Sequence, residues 1–90
     1  MAVEIRVPSL LQKLTEGQRT LSVEGGTVSA LIARIDADYP GFSDQLMEDG
    51  QLRRFVNIFR NDEDIRFLEN MDTAVEDGDV LAILPALAGG

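Results

Sequence analysis

Val3, Ile5 and Val7 alternate with Ala2, Glu4 and Arg6 at the start of the chain. Side chains two apart share one face of a strand, so this segment is predicted to be a half-buried strand that ends at Pro8. Ser9 to Gly17 follows as either a helical turn or a packed loop carrying Leu10, Leu11 and Leu14. Alternation returns between Arg19 and Val23, with Leu21 and Val23 on one face, and Gly25-Gly26 breaks the chain. The two strands read as a hairpin with a long connection.

Thr27 to Asp38 changes period. Val28, Leu31, Ile32 and Ile35 fall at i, i+3, i+4 and i+7, one apolar stripe of a helix, while Ser29, Arg34 and Asp36 lie off it. Thr27 suits the N-cap because its hydroxyl can accept from an otherwise unpaired backbone N–H. Pro40-Gly41 stops the helix. Phe42 to Met47 adds a short turn with Phe42 and Leu46 packed inward.

The second half is predicted to be strands again. Phe55 to Arg60 is one, Asn61 to Asp64 a polar turn, and Ile65-Arg66-Phe67-Leu68 the next strand. Glu76-Asp77-Gly78-Asp79 is a turn into the last strand, Val80 to Leu84, which Pro85 ends. The order is β-β-α-β-β-β. One helix can cover only one face of such a sheet, which predicts an α+β roll: a mixed sheet wrapped around one main helix. Residues 1–84 form the domain in this reading, and residues 85–90 an extended, flexible tail.

Faces follow from the same period. Asn57 is the residue of its strand least suited to burial without a partner. If it faces solvent, Phe55 and Phe59 face outward beside it and Val56 and Ile58 face the helix. In the last strand Leu81 and Ile83 point inward, leaving Ala82 and Leu84 outward. Phe59, Leu84 and Phe55 then either form an apolar docking surface or are covered by loops.

Charge narrows the partners. Sixteen acidic residues against eight basic ones give a net charge of −8. Nucleic acid and anionic membranes are repelled at long range. Cysteine and histidine are absent, which excludes disulfides, thiolate or imidazole metal ligands, cysteine nucleophiles and Ser-His-Asp triads. No apolar run approaches the ~18–20 residues of a membrane span, and the first residues lack a basic-then-apolar leader. The expectation is a cytoplasmic protein with no metal and no catalytic pocket of its own.

Asp62-Glu63-Asp64 lacks the spacing of a calcium loop; Glu76-Asp77-Asp79 has one, Asp77-Gly78-Asp79, that suits a tight turn better, and both clusters read as solvated turns. Arg53, Arg54, Arg60 and Arg66 lie near the proposed patch; they either pair with acids of a partner or balance the surface charge. Lys13 is the only lysine, which argues against polymeric chains built on lysine.

The sequence ends Pro85-Ala86-Leu87-Ala88-Gly89-Gly90. Glycine is about 7% of an average chain, so a Gly-Gly end arises by chance in roughly one protein in 200. Apart from Leu87 the segment has no bulk, and it carries no charged side chain, as an enclosed narrow channel would require. Two residues without Cβ atoms let a partner's backbone and a nucleotide approach the terminal carboxylate.

This element order with a Gly-Gly end resembles the ubiquitin-like sulfur carriers of the MoaD/ThiS family. The stretch from Arg54 to Phe67, the turn Asp77-Gly78-Asp79 and the ending from Ile83 to Gly90 are most similar to its CysO branch. The similarity spans essentially the whole chain, including the Thr27-Val28 helix start.

The resemblance implies a ubiquitin-like β-grasp fold and a protein cosubstrate rather than an enzyme. An E1-like enzyme would use ATP to adenylate Gly90, and sulfur would replace AMP to leave a thiocarboxylate. Gly89, Ala88, Leu87, Ala86 and Pro85, with Phe59, Leu84 and Phe55, would contact partners. No cofactor would be bound by the chain itself. The acceptor would be a pyridoxal-phosphate cysteine synthase, a pterin synthase or another sulfur-inserting enzyme. The alternatives are the small subunit of molybdopterin synthase and a ubiquitin-like modifier or interaction module.

Overall fold

The computed structural model describes residues 2–54 and 56–85. Alternating burial along the first segment makes β1 (Val3–Arg6), with Val3 and Ile5 buried and Glu4 and Arg6 exposed. The connection to β2 (Thr20–Val23) opens with a single 3-10 turn at Ser9–Leu11. There Leu11 is buried while Leu10 stays exposed. Thr15, which the hydrophobic pattern does not single out, is buried at the end of this connection. Its hydroxyl lies 3.3 Å from the Gln12 carbonyl and 2.9 Å from the Gln18 carbonyl, so its polar atom is satisfied inside the loop.

The dipeptide strand β3 (Gly26–Thr27) leads into α1 (Val28–Asp38). Thr27 caps the helix as its residue type predicts: its hydroxyl oxygen accepts from the Ala30 N–H at 3.1 Å. Val28, Leu31, Ile32 and Ile35 are all buried, and each contributes about 1.5–3 kcal/mol of burial. Asp36, off the stripe, ends the helix in a reversal. Its Oδ1 accepts from the Gly41 and Ser43 N–H groups at 3.2 and 3.0 Å, and Gly41 sits at φ +98°, where a side chain would be strained. α2 (Phe42–Leu46) follows, burying Phe42 and Leu46 as expected.

A tight hairpin, β4 (Met47–Glu48) and β5 (Gln51–Leu52), joins α2 to β6 (Val56–Arg60). The next strand is much shorter than the sequence predicts. β7 is Glu63–Asp64, inside the expected polar turn, and Ile65–Phe67 is a 3-10 turn rather than a strand. The cause is local. The Asp64 carboxylate accepts from the Arg66 N–H at 2.9 Å, and the Leu68 N–H returns to the Ile65 carbonyl at 2.9 Å. These bonds take the Arg66 and Leu68 N–H groups and the Ile65 carbonyl into the turn instead of a ladder. After a second 3-10 turn at Asn70–Asp72, β8 (Ala74–Val75) pairs with β3, and β9 (Val80–Pro85) closes the sheet.

The five-stranded sheet has the order β2-β1-β9-β6-β7. β9 lies at its centre, parallel to β1 and antiparallel to β6. The concave face presents Val3, Ile5, Leu21, Val56, Ile58, Leu81 and Ile83 to α1, giving one core. This is the mixed sheet around one main helix that the order of elements predicted.

Pro85 falls inside the last strand rather than beyond it, opposite Val56. Asn61 donates its backbone N–H to the Val80 carbonyl at 2.9 Å, marking that as a bonded position of the ladder. Alternation then makes Val56–Pro85 a non-bonded pair, so the missing proline N–H costs no bond with β6.

Candidate functional site

The sheet's outer face carries the candidate docking surface. Strand register puts Phe59 opposite Ala82 and Asn57 opposite Leu84, with Arg6 beside Ala82 from the parallel neighbour. Leu84 is 50% exposed and Phe59 is half-buried, while Ile58 and Ile83, their strand neighbours, are buried. The face assignment from the sequence therefore holds for Val56, Ile58, Leu81, Ile83, Ala82 and Leu84.

Between Phe59, Ala82 and Leu84 runs an open groove of about 410 Å³, walled by Val7 and Pro8 and flanked by Arg6 and Asp62; Ile83 lies beneath it with its side chain buried in the core. An apolar floor with one cation and one anion at its rim suits a protein surface better than a small polar ligand. Arg6 leans toward Glu4, with Nε 3.0 Å from the carboxylate, but stays largely exposed. The sequence pattern marks Arg6 as outward. It does not reveal that Arg6, Pro8 and Asp62 join this groove, because the parallel pairing of the first and last strands is a long-range fact.

The groove follows the strand that leads toward the chain's end. Leu84 is followed by Pro85, the last described residue. The predicted site residues Ala86, Leu87, Ala88, Gly89 and Gly90 lie outside the described residues, and so does Phe55.

Three of the four arginines near the patch serve the fold. Arg66 donates to the Asn57 side-chain oxygen at 2.8 Å and to the Arg53 carbonyl at 3.0 Å. This supplies the partner that Asn57 needs on a half-buried strand face. Arg53 donates twice to the Asp44 carbonyl, at 3.2 and 3.0 Å, holding the loop before β6 against α2. Arg60 pairs through Nε with Asp79 at 3.0 Å. Arg54 is exposed beside them.

Asp79 is the hub of the acidic turn. It accepts from the Glu76 N–H at 2.8 Å, from Asn61 Nδ2 at 2.9 Å and from Arg60 Nε at 3.0 Å. The Glu76 amide, then the Asn61 side chain, hold its carboxyl below the usual range; burial opposes them, and Arg60 adds to the lowering. Asp77 accepts from the Gly25 N–H at 3.2 Å, stitching the same turn to the start of β3. These carboxylates fasten the turn that aims β9 into the sheet. Among the described residues, no three His, Cys, Asp or Glu side chains cluster so as to hold a metal ion. No helix there is long and apolar enough to cross a membrane.

Residues 5–90 match the ThiS family. The protein belongs to that family. The sulfur carrier protein CysO of Mycobacterium tuberculosis is 46% identical over 93 residues, an alignment that takes in the whole of both chains. The fold is shared with the crystal structure of the Amycolatopsis orientalis BexX/CysO complex, at TM-score 0.94 and 38% identity over 99% of this chain and 100% of that one. Small archaeal modifier protein 3 of Haloferax volcanii is 34% identical over 67 residues, or 74% of this chain and 73% of its own length. For this ThiS-family chain the β-grasp architecture and the relationship to CysO carriers expected from the sequence both hold.

Proposed function

We propose that this ThiS-family protein is a sulfur carrier, a protein cosubstrate that performs no catalysis itself. The carboxylate of Gly90 attacks the α-phosphate of ATP on an E1-like enzyme, releasing pyrophosphate and forming an acyl-adenylate. Sulfide from a donor then adds to the acyl carbon and AMP leaves, so Gly90 carries a thiocarboxylate. With no cysteine in the chain, that terminal carbonyl is the place where this protein can hold transferable sulfur. The full-length identity to a CysO sulfur carrier is the observation that carries the reading.

The physical design supports it. A carboxylate is a poor acyl donor, so activation and transfer need two enzymes that grip the same small protein and admit its end. The groove lined by Phe59, Ala82 and Leu84 offers the grip, on the strand that runs into Pro85 and on toward Ala86, Leu87, Ala88, Gly89 and Gly90. The sulfur acceptor we favour is a pyridoxal-phosphate cysteine synthase, following the CysO relatives; ATP is consumed by the activating enzyme and no cofactor stays on the carrier. The reading places the protein in the cytoplasm.

Mass spectrometry of the C-terminal peptide tests this after incubation with ATP, the activating enzyme and a sulfur donor. The expected product has gained the mass difference between sulfur and oxygen at Gly90. An unchanged peptide, with the protein instead joined to target lysines, would favour the modifier role that the Haloferax relative's name describes.

A further inference from the structure

The sheet has a second free feature, remote from the Phe59–Leu84 face. β2 is one of its two edge strands, the other being the dipeptide β7. The Val7 N–H donates to the Arg19 carbonyl at 2.8 Å, which fixes the ladder: bonded pairs recur at Ile5–Leu21 and Val3–Val23. The backbone N–H and C=O groups of Thr20 and Ser22 therefore point away from the sheet. Among the described residues no backbone or side-chain group bonds to them from outside it.

Edge strands are usually blunted by proline, lysine, a bulge or a covering segment. Thr20-Leu21-Ser22-Val23 has no proline, lysine or other charge and pairs with β1 without interruption. Beside it, a groove of about 290 Å³ opens between β2 and α1, bounded by Val23 on one side and by Ile35, Asp38 and Tyr39 on the other. That volume is about twice the ~150 Å³ cavity that takes one benzene, enough for two alternate side chains of an added strand. The Tyr39 hydroxyl accepts from Gln18 Nε2 at 2.9 Å, so the ring is held in place at the groove wall.

We propose that the β2 edge and the β2–α1 groove bind an extended segment of a partner protein by strand addition, the segment having alternate apolar residues and one basic residue. Main-chain bonds to Thr20 and Ser22 supply the affinity, and the groove selects the alternate side chains. Asp38 specifies the charge: it is the charged residue lining this groove and makes no ion pair among the described residues. A second copy of this chain is the poorer occupant, because pairing two edges would bring together two molecules of net charge −8. The site is separated from β9 by β1, so it can be filled while the outer face is engaged.

The probe is a short capped peptide of alternating Val and Thr with a terminal lysine, titrated into ¹⁵N-labelled full-length protein. The expected result is saturable shifts at Thr20, Ser22, Val23, Ile35 and Tyr39, with slowed hydrogen exchange at the Thr20 and Ser22 amides. A peptide N-methylated at alternate amides should lose binding. Asp38→Asn should weaken the lysine peptide by up to about fivefold, the range of a surface ion pair, and leave a norleucine peptide unaffected. The proposal is overturned by an absence of saturable shifts, by shifts centred on Phe59 and Leu84, or by equal binding of the N-methylated peptide.

Discussion

Ile83 and Leu84 are consecutive residues of one strand, yet they should fail in opposite ways when cut back to alanine. Ile83 is 1% exposed and packs in the core, so its truncation leaves a cavity that costs about 2–5 kcal/mol. In a domain of this size each kcal/mol lowers the melting midpoint by about 4–8 °C, so Ile83→Ala should melt at least ~8 °C lower. Leu84 is 50% exposed, so half of its ~1.5–3 kcal/mol of burial is at stake on folding, about 1 kcal/mol. The other half becomes available when a partner covers the patch, which predicts a Kd for the activating enzyme weakened by about fivefold. If Leu84 is a buried anchor at the interface centre, the loss rises to about 30-fold. Thermal unfolding by circular dichroism and calorimetric titration with the activating enzyme measure the two effects. Ile83→Ala, assayed well below its midpoint, should bind like the parent protein. Loss of stability in Leu84→Ala equal to that of Ile83→Ala, with binding intact, would refute the argument that the outer face is the docking face.

Deleting Gly89 and Gly90 removes no residue of the described core, so the melting midpoint should stay put while sulfur transfer disappears; a loss of folding would show that the end is structural. Asp79→Ala should destabilise by about 1.5–3 kcal/mol, because it strips an ionised acceptor from Arg60, Asn61 and the Glu76 amide; urea titration at neutral pH reads this directly. The Asp79 pKa is depressed in the folded state, so its contribution is complete above about pH 4 and is lost as pH falls through the lower folded value. Urea midpoints between pH 5 and pH 2 should therefore fall less steeply in Asp79→Asn than in the parent. Thr27→Ala removes the acceptor for the Ala30 N–H and should cost about 1 kcal/mol by the same assay, whereas Thr27→Ser should restore most of it.

The helix was legible in the sequence because every signal for it is local. The stripe Val28, Leu31, Ile32 and Ile35, the Thr27 cap and the Pro40-Gly41 stop all lie within fifteen or so residues of one another. Strand faces were legible for the same reason: Asn57 fixed the parity of its strand, and the structure gives that asparagine its partner in Arg66. What escaped was decided by side chains acting on the backbone. Ile65-Arg66-Phe67-Leu68 has strand-like composition, but the Asp64 carboxylate captures the Arg66 amide and closes a turn, leaving Phe67 83% exposed. The pairing of β3 with β8, and the meeting of Arg6 with Ala82 in the groove, join residues dozens of positions apart that no local pattern connects. The proposal for Gly90, which lies outside the described residues, rests on no periodicity but on the composition of the last six residues and a family resemblance.

The central, parallel placement of β9 has a mechanical consequence. An enzyme that draws the chain's end into its active site pulls along β9, which is bonded on one side to β1 and on the other to β6. Tension along a strand's own axis loads its lateral hydrogen bonds together, in shear, whereas a pull at right angles would open them one at a time. Under the proposed function, the protein can therefore be held by that end while its body stays folded. A sheet with β9 at its edge would bear the same tug on one ladder instead of two.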